Sequence, residues 1–437
     1  MELLRTHPYG VQPVGNRAMF TTDEEVALCG ERFPGLGKIS VLDDSLLLTE
    51  LCSFFDGPCL SFLSATSKFL YAFSHYEELW KKLVLEKQGN SFLFSNTWKE
   101  TLTGVHHAPL NTKTRVFSDV LYQPFWCSAL RIPVKWTEVE TIKRESVTNL
   151  SVERFVEMYE KPNIPVILTG CDQHPGSAAA YKQWDREYLL NTASAATTFN
   201  AVGLQLSLSS YFKYSDEQKD DNPIYLFDKK FIHNTPQFGM DYEPLPYFSK
   251  DRDLFDLLDG TGYRPDHRWL IVGPERSGSR FHIDPNGTSA WNAVIRGKKK
   301  WIMFPPNSIP PGVHLSEDGG DVTSPVSLIE WFRGFYDIAR EQMFTEKNGM
   351  VECVVHEGET VFVPSGWYHL VINLDFTIAV TQNYVSTSNL ETVMQYLSTS
   401  PKLISGLPHD KRPKLRGMFE SILMTERPEA KKILDKV

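Results

Sequence analysis

The chain has 437 residues, of which 41% are hydrophobic and 12% aromatic, enough apolar content for two or three folded domains and too much for a largely disordered protein. A formal charge of −9 argues against a bulk electrostatic grip on nucleic acid, and no strong nucleic-acid signal is present. Six cysteines, Cys29, Cys52, Cys59, Cys127, Cys171 and Cys353, form no Cys-x-x-Cys pair, which speaks against a zinc knuckle or a disulfide framework. With no signal peptide and no run near the ~18 apolar residues of a membrane span, an intracellular protein of the nucleus or cytoplasm is expected, without membrane association.

Residues 1–38, rich in Gly, Pro and polar residues, read as an irregular arm. Residues 39–90 read as a small helical module. Leu47, Leu51, Phe54 and Phe55 stand at helical spacing, Asp56-Gly57-Pro58 breaks the run, Leu60, Leu63, Phe69 and Phe73 resume it, and Leu79, Trp80, Leu83 and Val84 make a third amphipathic turn. Residues 91–149 read as a connecting region. Beyond it the pattern is mixed, with a helix over 152–159, a strand over 164–168, a turn at Gly170 and a helix over 184–190. The stretch "NPIYLFDKKF" reads as a strand with Tyr225 and Phe227 on one face.

From Trp269 to Val385 strand signals dominate: "RWLIVG", "RFHID", "SAWNAVIRG", "KKWIMFP", "VECVVHEG", "ETVFVPS", "WYHLVINL" and "TIAVTQNYV", interrupted by a helical period over 325–341. Eight short strands separated by turn residues predict an antiparallel barrel or jelly roll. After Ser388 helices return, with "LETVMQYLS" and "KLRGMFESILM" the clearest.

Within this β-rich core, "SRFHIDPNG" places His282 and Asp284 two apart, on one face of a strand. Alone, His-x-Asp is a common chance pattern. His369, which follows a Pro-Ser-Gly turn in "VPSGWYHLVINL", supplies a third ligand. Two histidines and one carboxylate make the facial triad of non-haem Fe(II) oxygenases, leaving three octahedral positions for a bidentate 2-oxo acid and dioxygen. A 2-oxo dicarboxylate needs a cation for its far end. Lys299 in "GKKKW" is a candidate, although a lysine run more often marks a solvated hairpin turn. Thr381 and Asn383 alternate with apolar residues and are candidate polar groups of a barrel interior, although the pattern alone fits a water-facing position equally well.

The stretches "GPERSGSRFHIDPNGTSAWNAVIRGKKKWIMFPP", "GETVFVPSGWYHLVINL" and "TIAVTQNYV" closely resemble the JmjC-domain oxygenases, in particular the phosphatidylserine-receptor-like branch of lysyl hydroxylases. The likeness runs from about Leu150 to Val385. It implies an α+β protein with a double-stranded β-helix of the jelly-roll or cupin type over 150–387 (core 269–385), Fe(II) as cofactor, and 2-oxoglutarate and O2 as co-substrates. Carried over residue by residue, it makes His282, Asp284 and His369 the iron ligands. Lys299 becomes the partner of the distal carboxylate of 2-oxoglutarate, assisted by Tyr225, Asn292, Thr381 and Ser279, which stands where the family usually has threonine. Trp269 matches a tryptophan near the substrate entrance, while the residues alone fit a buried core tryptophan equally well; Trp291 and Trp301 read as core. Arg280-Phe281 departs from the smaller residues usual there and is expected to narrow the pocket. The branch implies a protein substrate and hydroxylation of a lysine side chain; N-methyl-arginine or N-methyl-lysine (histone) demethylation uses the same iron chemistry. The C-terminal helices, 388–437, resemble the family's dimerisation element loosely and imply a homodimer through them.

Residues 39–87 also resemble an F-box, with a Leu-rich first helix, a short break, and a final "LWKKL". The usual Leu-Pro at its start is Val41-Leu42-Asp43. This resemblance implies binding to a Skp-type adaptor, and with it a rival reading as a ubiquitin-ligase substrate adaptor whose β-helix no longer turns over. Loss of an iron ligand or of Lys299 would mark that rival, and neither is lost.

Overall fold

The structure, a computed structural model, describes residues 6–19, 32–89, 92–106, 115–317 and 322–435. Cys29 and the stretches 1–5 and 20–31 of the expected arm lie outside them, as do 107–114 of the expected connecting region. Among the described residues no helix is long and apolar enough to cross a membrane. The chain divides into two compact units, Met1–Arg131 with Leu204–Pro223, and Ile132–Gly203 with Ile224–Val437.

The first unit is helical. Its module comprises Leu46–Leu51, Cys52–Phe54, Gly57–Ser64, Lys68–Ser74 and Glu77–Gln88. The run through Leu60 to Phe73, expected as one helix, is two, because the Ser67 hydroxyl accepts from Leu70 N at 3.1 Å and caps a fresh start. Leu204–Pro223, inside the span expected for the β-rich domain, is tied here instead: Trp98 Nε1 donates to Asp220 Oδ1 at 3.1 Å, the Tyr214 hydroxyl donates to Asp220 Oδ2 at 2.6 Å, and Phe94 packs edge-on against Tyr214.

Strands follow in chain order: β1 (Arg144–Ser146), β2 (Val166–Thr169), β3 (Thr198–Ala201), β4 (Leu204–Ser207), β5 (Leu226–Asp228), β6 (Arg268–Gly273), β7 (Gly278–His282), β8 (Ser289–Arg296), β9 (Lys298–Phe304), β10 (His314–Leu315), β11 (Val322–Thr323), β12 (Val351–His356), β13 (Thr360–Val363), β14 (Tyr368–Asn373) and β15 (Thr377–Tyr384). All eight strand signals between Trp269 and Val385 are strands, and the helical period between them is the pair Leu328–Gly334 and Tyr336–Thr345.

In the second unit a seven-stranded sheet, ordered β1-β2-β13-β8-β15-β6-β5, faces a four-stranded sheet, ordered β12-β9-β14-β7. The chain passes from β6 to β7 to β8 to β9 by alternating between the two sheets, and from β12 to β15 it alternates again. This is the double-stranded β-helix of an α+β protein, and all its core pairings are antiparallel. Alternation along each strand sends Ala290, Val294, Trp301, Met303, Val361 and Val371 into a shared interior cluster.

Two corners direct this path. Gly297 alone separates β8 from β9; its φ is +80° and a Cβ there would lie 2.3 Å from the Phe376 carbonyl oxygen, so a side chain has no room. The "GKKK" run is therefore a sheet-to-sheet corner and not a solvated hairpin. Only Lys298 is exposed. Lys300, on the outer face, is fully buried, its Nζ 2.7 Å from Glu352 Oε2 and 3.0 Å from the Val139 carbonyl oxygen, while the Tyr336 hydroxyl donates to the same carboxylate at 2.7 Å.

The C-terminal helices Leu390–Thr399 and Leu415–Glu426 bury Val393, Met394, Leu397, Phe419 and Leu423 against Leu254, Phe255 and Leu258 of the same unit. Their apolar faces are thus largely covered within the chain.

Because Lys300 and Glu352 are both buried, removing Lys300 leaves Glu352 with only the part-exposed Arg340, 3.9 Å away, to offset its charge, whereas removing both leaves no buried charge behind. Lys300→Met is expected to cost about 3–5 kcal/mol in urea unfolding, and Lys300→Met with Glu352→Met to recover most of that loss. Additive losses would contradict the pairing.

Candidate functional site

β7 and β14 are neighbours in the smaller sheet, and their register sets His282 opposite His369. The two imidazoles stand with ring centroids 4.1 Å apart. Each ring is oriented from behind by its own chain: His282 Nδ1 donates to the Arg280 carbonyl at 2.8 Å, and His369 Nδ1 to the Trp367 carbonyl at 3.0 Å. Both Nε2 lone pairs are thereby left for a ligand. Burial holds the His369 pKa well below that of a free imidazole, which keeps the ring in its neutral, ligating form. Trp301, expected only as core, stacks on His369 at 5.9 Å and 24°.

Asp284 is reached differently from what the strand pattern suggests. β7 ends at His282, so no sheet ladder holds the carboxylate; extended backbone at Asp284 (φ −59°, ψ 138°), followed by the turn Pro285–Gly287, carries it round. The result agrees with the expected pairing. Asp284 Oδ2 lies 4.0 Å from His369 Nε2, and one ligand atom from each of His282, Asp284 and His369 falls within 4.8 Å of the others. Burial raises the Asp284 pKa, with His282 and the Asn383 amide acting the other way. Its Oδ2 is buried and accepts no hydrogen bond among the described residues. A buried carboxylate oxygen with no donor is costly unless a cation meets it. A hard divalent ion facing two neutral imidazoles is the partner this donor set fits.

A second group of polar residues shares the inner face of the same barrel. Asn292 of β8, Thr381 of β15 and Trp269 of β6 stand side by side in register. Lys299 of β9 lies beside Asn373 of β14. The Thr381 hydroxyl donates to the Trp291 carbonyl at 2.8 Å. Trp269 is part-exposed and stacks on Phe227 at 5.3 Å and 16°, whereas Trp291 is fully buried between sheet and loop, stacked on Tyr242 and Phe248.

Ser279 stands three residues before His282, so strict alternation would put the two on opposite faces. A β-bulge prevents this. His369 pairs with His282 but Val371 with Ser279, so β7 holds one residue more than β14 across this interval. Ser279 consequently turns inward, its hydroxyl 3.3 Å from that of Tyr225. The Arg280-Phe281 pair supplies the extra residue. Phe281 is 2% exposed and packs outward against Phe304 and Trp331, and Arg280 is exposed. The expectation that this pair narrows the pocket is therefore corrected: it fills the outer layer and re-aims Ser279.

Lys299 is 3% exposed, yet its ammonium forms no ion pair or hydrogen bond among the described residues. Burial alone pushes its pKa down to about 7. Nearby inner-face carbonyl oxygens, Asn292 Oδ1 and Asn373 Oδ1, are likewise buried without donors. Asn373, which donates through Nδ2 to the Ser277 hydroxyl at 2.9 Å, and Trp301 were missed as site residues. Asn373 had a signal, as the polar residue in "LVIN" that shares a face with His369.

A family model described as a cupin-like domain matches residues 198–389. The chain is 42% identical over 421 residues to the arginine-specific demethylase JMJ22 of Arabidopsis thaliana, covering 92% of this chain and 80% of the relative. It is 37% identical over 306 residues to the bifunctional arginine demethylase and lysyl-hydroxylase psr-1 of Caenorhabditis elegans, covering 68% and 71%. Over 180 residues it is 34% identical to the human 2-oxoglutarate and iron-dependent oxygenase JMJD4, covering 40% of this chain and 39% of that relative. Fold, donor set and these similarities converge, and the chain belongs to the JmjC family of cupin-like, iron- and 2-oxoglutarate-dependent oxygenases.

Proposed function

We propose that the chain oxidises a basic side chain of a protein substrate, with hydroxylation of lysine as the first reading. The observation that carries an oxygenase reaction is the juxtaposition, in one barrel, of the His282–Asp284–His369 donor set and the unpaired Lys299 ammonium. His282, Asp284 and His369 hold the iron. Lys299 receives the distal carboxylate of 2-oxoglutarate, with the Tyr225 and Ser279 hydroxyls and Asn292 beside it, and Thr381 adds packing to the wall. Bound iron, with 2-oxoglutarate as co-reductant leaving as succinate and carbon dioxide, supplies the O2 chemistry that places one oxygen atom into a C–H bond. The chain's own residues orient and exclude water: backbone carbonyls and Trp301 fix the imidazoles, and the part-exposed Trp269–Phe227 face offers a surface for a cationic side chain. Arginine demethylation is the second reading, favoured by the identity with JMJ22 over nearly the whole chain. It requires only that the oxidised carbon be an N-methyl, which then leaves as formaldehyde.

We propose also that the module at 39–87 docks on a Skp-type adaptor. Support comes from the large apolar side chains it leaves in water, among them Val41 at 85%, Phe54 at 82% and Phe62 at 77% exposure. Free thiols at Cys52, Cys59, Cys127, Cys171 and Cys353 fit a reducing compartment, the nucleus or cytoplasm.

Succinate release from 2-oxoglutarate, with Fe(II), O2 and peptides bearing lysine or N-methyl-arginine, is expected from the wild type and absent from His282→Ala and Asp284→Ala; equal turnover would overturn the assignment. Mass spectrometry of the peptide then separates a gained oxygen from a lost methyl group. Lys299 makes co-substrate binding pH-dependent. Without an anion its ammonium is charged below about 7 and neutral above, so above that pH the dianion must bind together with a proton. The Kd for 2-oxoglutarate is expected to rise about tenfold per pH unit above this point, with Lys299→Met weaker and flat; a flat wild-type profile would contradict the role. Co-purification with the adaptor, lost in Phe54→Asp with Phe62→Asp, tests the docking reading.

A further inference from the structure

Asp284 is the one member of the triad that no sheet ladder holds, and the turn that carries it is fastened from outside the barrel. We infer that Asn286 is a positioning residue for Asp284, and that the segment around Ser405, in the C-terminal helical region, sets the affinity of the site for its metal. The inference rests on the iron-site reading above.

Asn286 is 3% exposed and adopts a left-handed backbone (φ +61°, ψ 17°), a conformation that asparagine tolerates better than other non-glycine residues. Its amide makes a two-way pairing with one backbone residue: Nδ2 donates to the Ser405 carbonyl at 3.1 Å, and Oδ1 accepts from the Ser405 N–H at 2.9 Å. Two hydrogen bonds to one residue fix both the direction and the distance of the turn. The same segment is itself anchored, because the Gly406 carbonyl accepts from Asp266 N at 3.1 Å, just ahead of β6.

The rest of the turn has little slack. Gly287 (φ +69°) lies so close to the helix Leu390–Thr399 that a Cβ would stand 3.3 Å from the Thr392 carbonyl oxygen. The Gly287 carbonyl accepts from the Ser365 hydroxyl at 2.7 Å, which joins this turn to the segment leading into His369. Asn383 Nδ2 donates to the Thr288 hydroxyl at 2.9 Å, and that hydroxyl donates to the Pro285 carbonyl at 2.8 Å. Of these fastenings, only the Asn286–Ser405 pairing reaches beyond the helix to the loop that follows it. A residue outside the donor set thereby holds the turn that carries Asp284, whose Oδ2 accepts no hydrogen bond among the described residues.

The test titrates the full-length protein with Co(II) alone, reading Kd and the visible ligand-field spectrum together with Tm. Asn286→Gly keeps the left-handed turn and removes the amide; Asn286→Asp keeps an acceptor for Ser405 N–H and loses the donor. Both are expected to weaken Co(II) by about tenfold to a hundredfold and to alter the spectrum, with Asp the milder of the two. Ser405→Ala, which leaves the backbone partner in place, should match the wild type. A Kd within twofold of the wild type and an unchanged spectrum for both Asn286 variants would overturn the inference, whatever their Tm. Failure of the wild type to bind Co(II), or undiminished binding by Asp284→Ala, would instead overturn the iron-site reading.

Discussion

Most core strands of this double-stranded β-helix are buried on both faces, which leaves little solvent to satisfy a polar side chain turned inward, and here several are turned inward unsatisfied. Asp284 presents a carboxylate oxygen without a donor, Lys299 an ammonium without an anion, and Asn292 and Asn373 carbonyl oxygens without partners. Elsewhere the same unit gives a buried carboxylate a cation, Lys300 for Glu352 on the outer face and the part-exposed Arg252 for Glu160. The contrast is chemical. Pairing is available to this fold, and it is withheld at the two places where an outside cation and an outside dianion would complete the site. The cost of carrying these groups is offset by the extensive apolar burial around them.

Geometry then assigns each half of the site to a different device. The histidines owe their positions to sheet register, since β7 and β14 set them opposite one another. The carboxylate owes its position to a turn, and the turn to contacts from the C-terminal region and from Ser365, just ahead of β14. Ser279 owes its inward direction to a bulge, and Lys299 to the alternation that follows the Gly297 corner. The two histidines and the carboxylate are thus held by mechanically distinct parts of the fold.

These distinctions also decide what could be read from the chain alone. The eight core strands were legible because runs of Val, Ile, Phe and Trp are punctuated by turns, and the triad was legible because ligand residue types recur at set places among them. The bulge at Arg280-Phe281 was not, since an extra residue in one strand is visible only against its partner, and Phe281 was accordingly assigned to the pocket it avoids. Likewise, nothing local in Leu204–Pro223 announces that Asp220 answers Trp98, more than a hundred residues earlier. The Ser67 cap that divides one expected helix into two was present in the sequence as a signal, and the apolar periodicity on both sides of it concealed the break.

The central claim is that His282, Asp284 and His369 hold iron within reach of a 2-oxo acid anchored by Lys299. An anaerobic titration of Fe(II)-loaded protein with 2-oxoglutarate, followed by the visible charge-transfer absorption of an Fe(II)–2-oxo acid chelate, tests it without any need to know the protein substrate. A band is expected that saturates near one equivalent, is absent in Asp284→Ala, and requires far more 2-oxoglutarate in Lys299→Met. Bound iron that develops no band, or a band of equal strength and affinity in both variants, would contradict it.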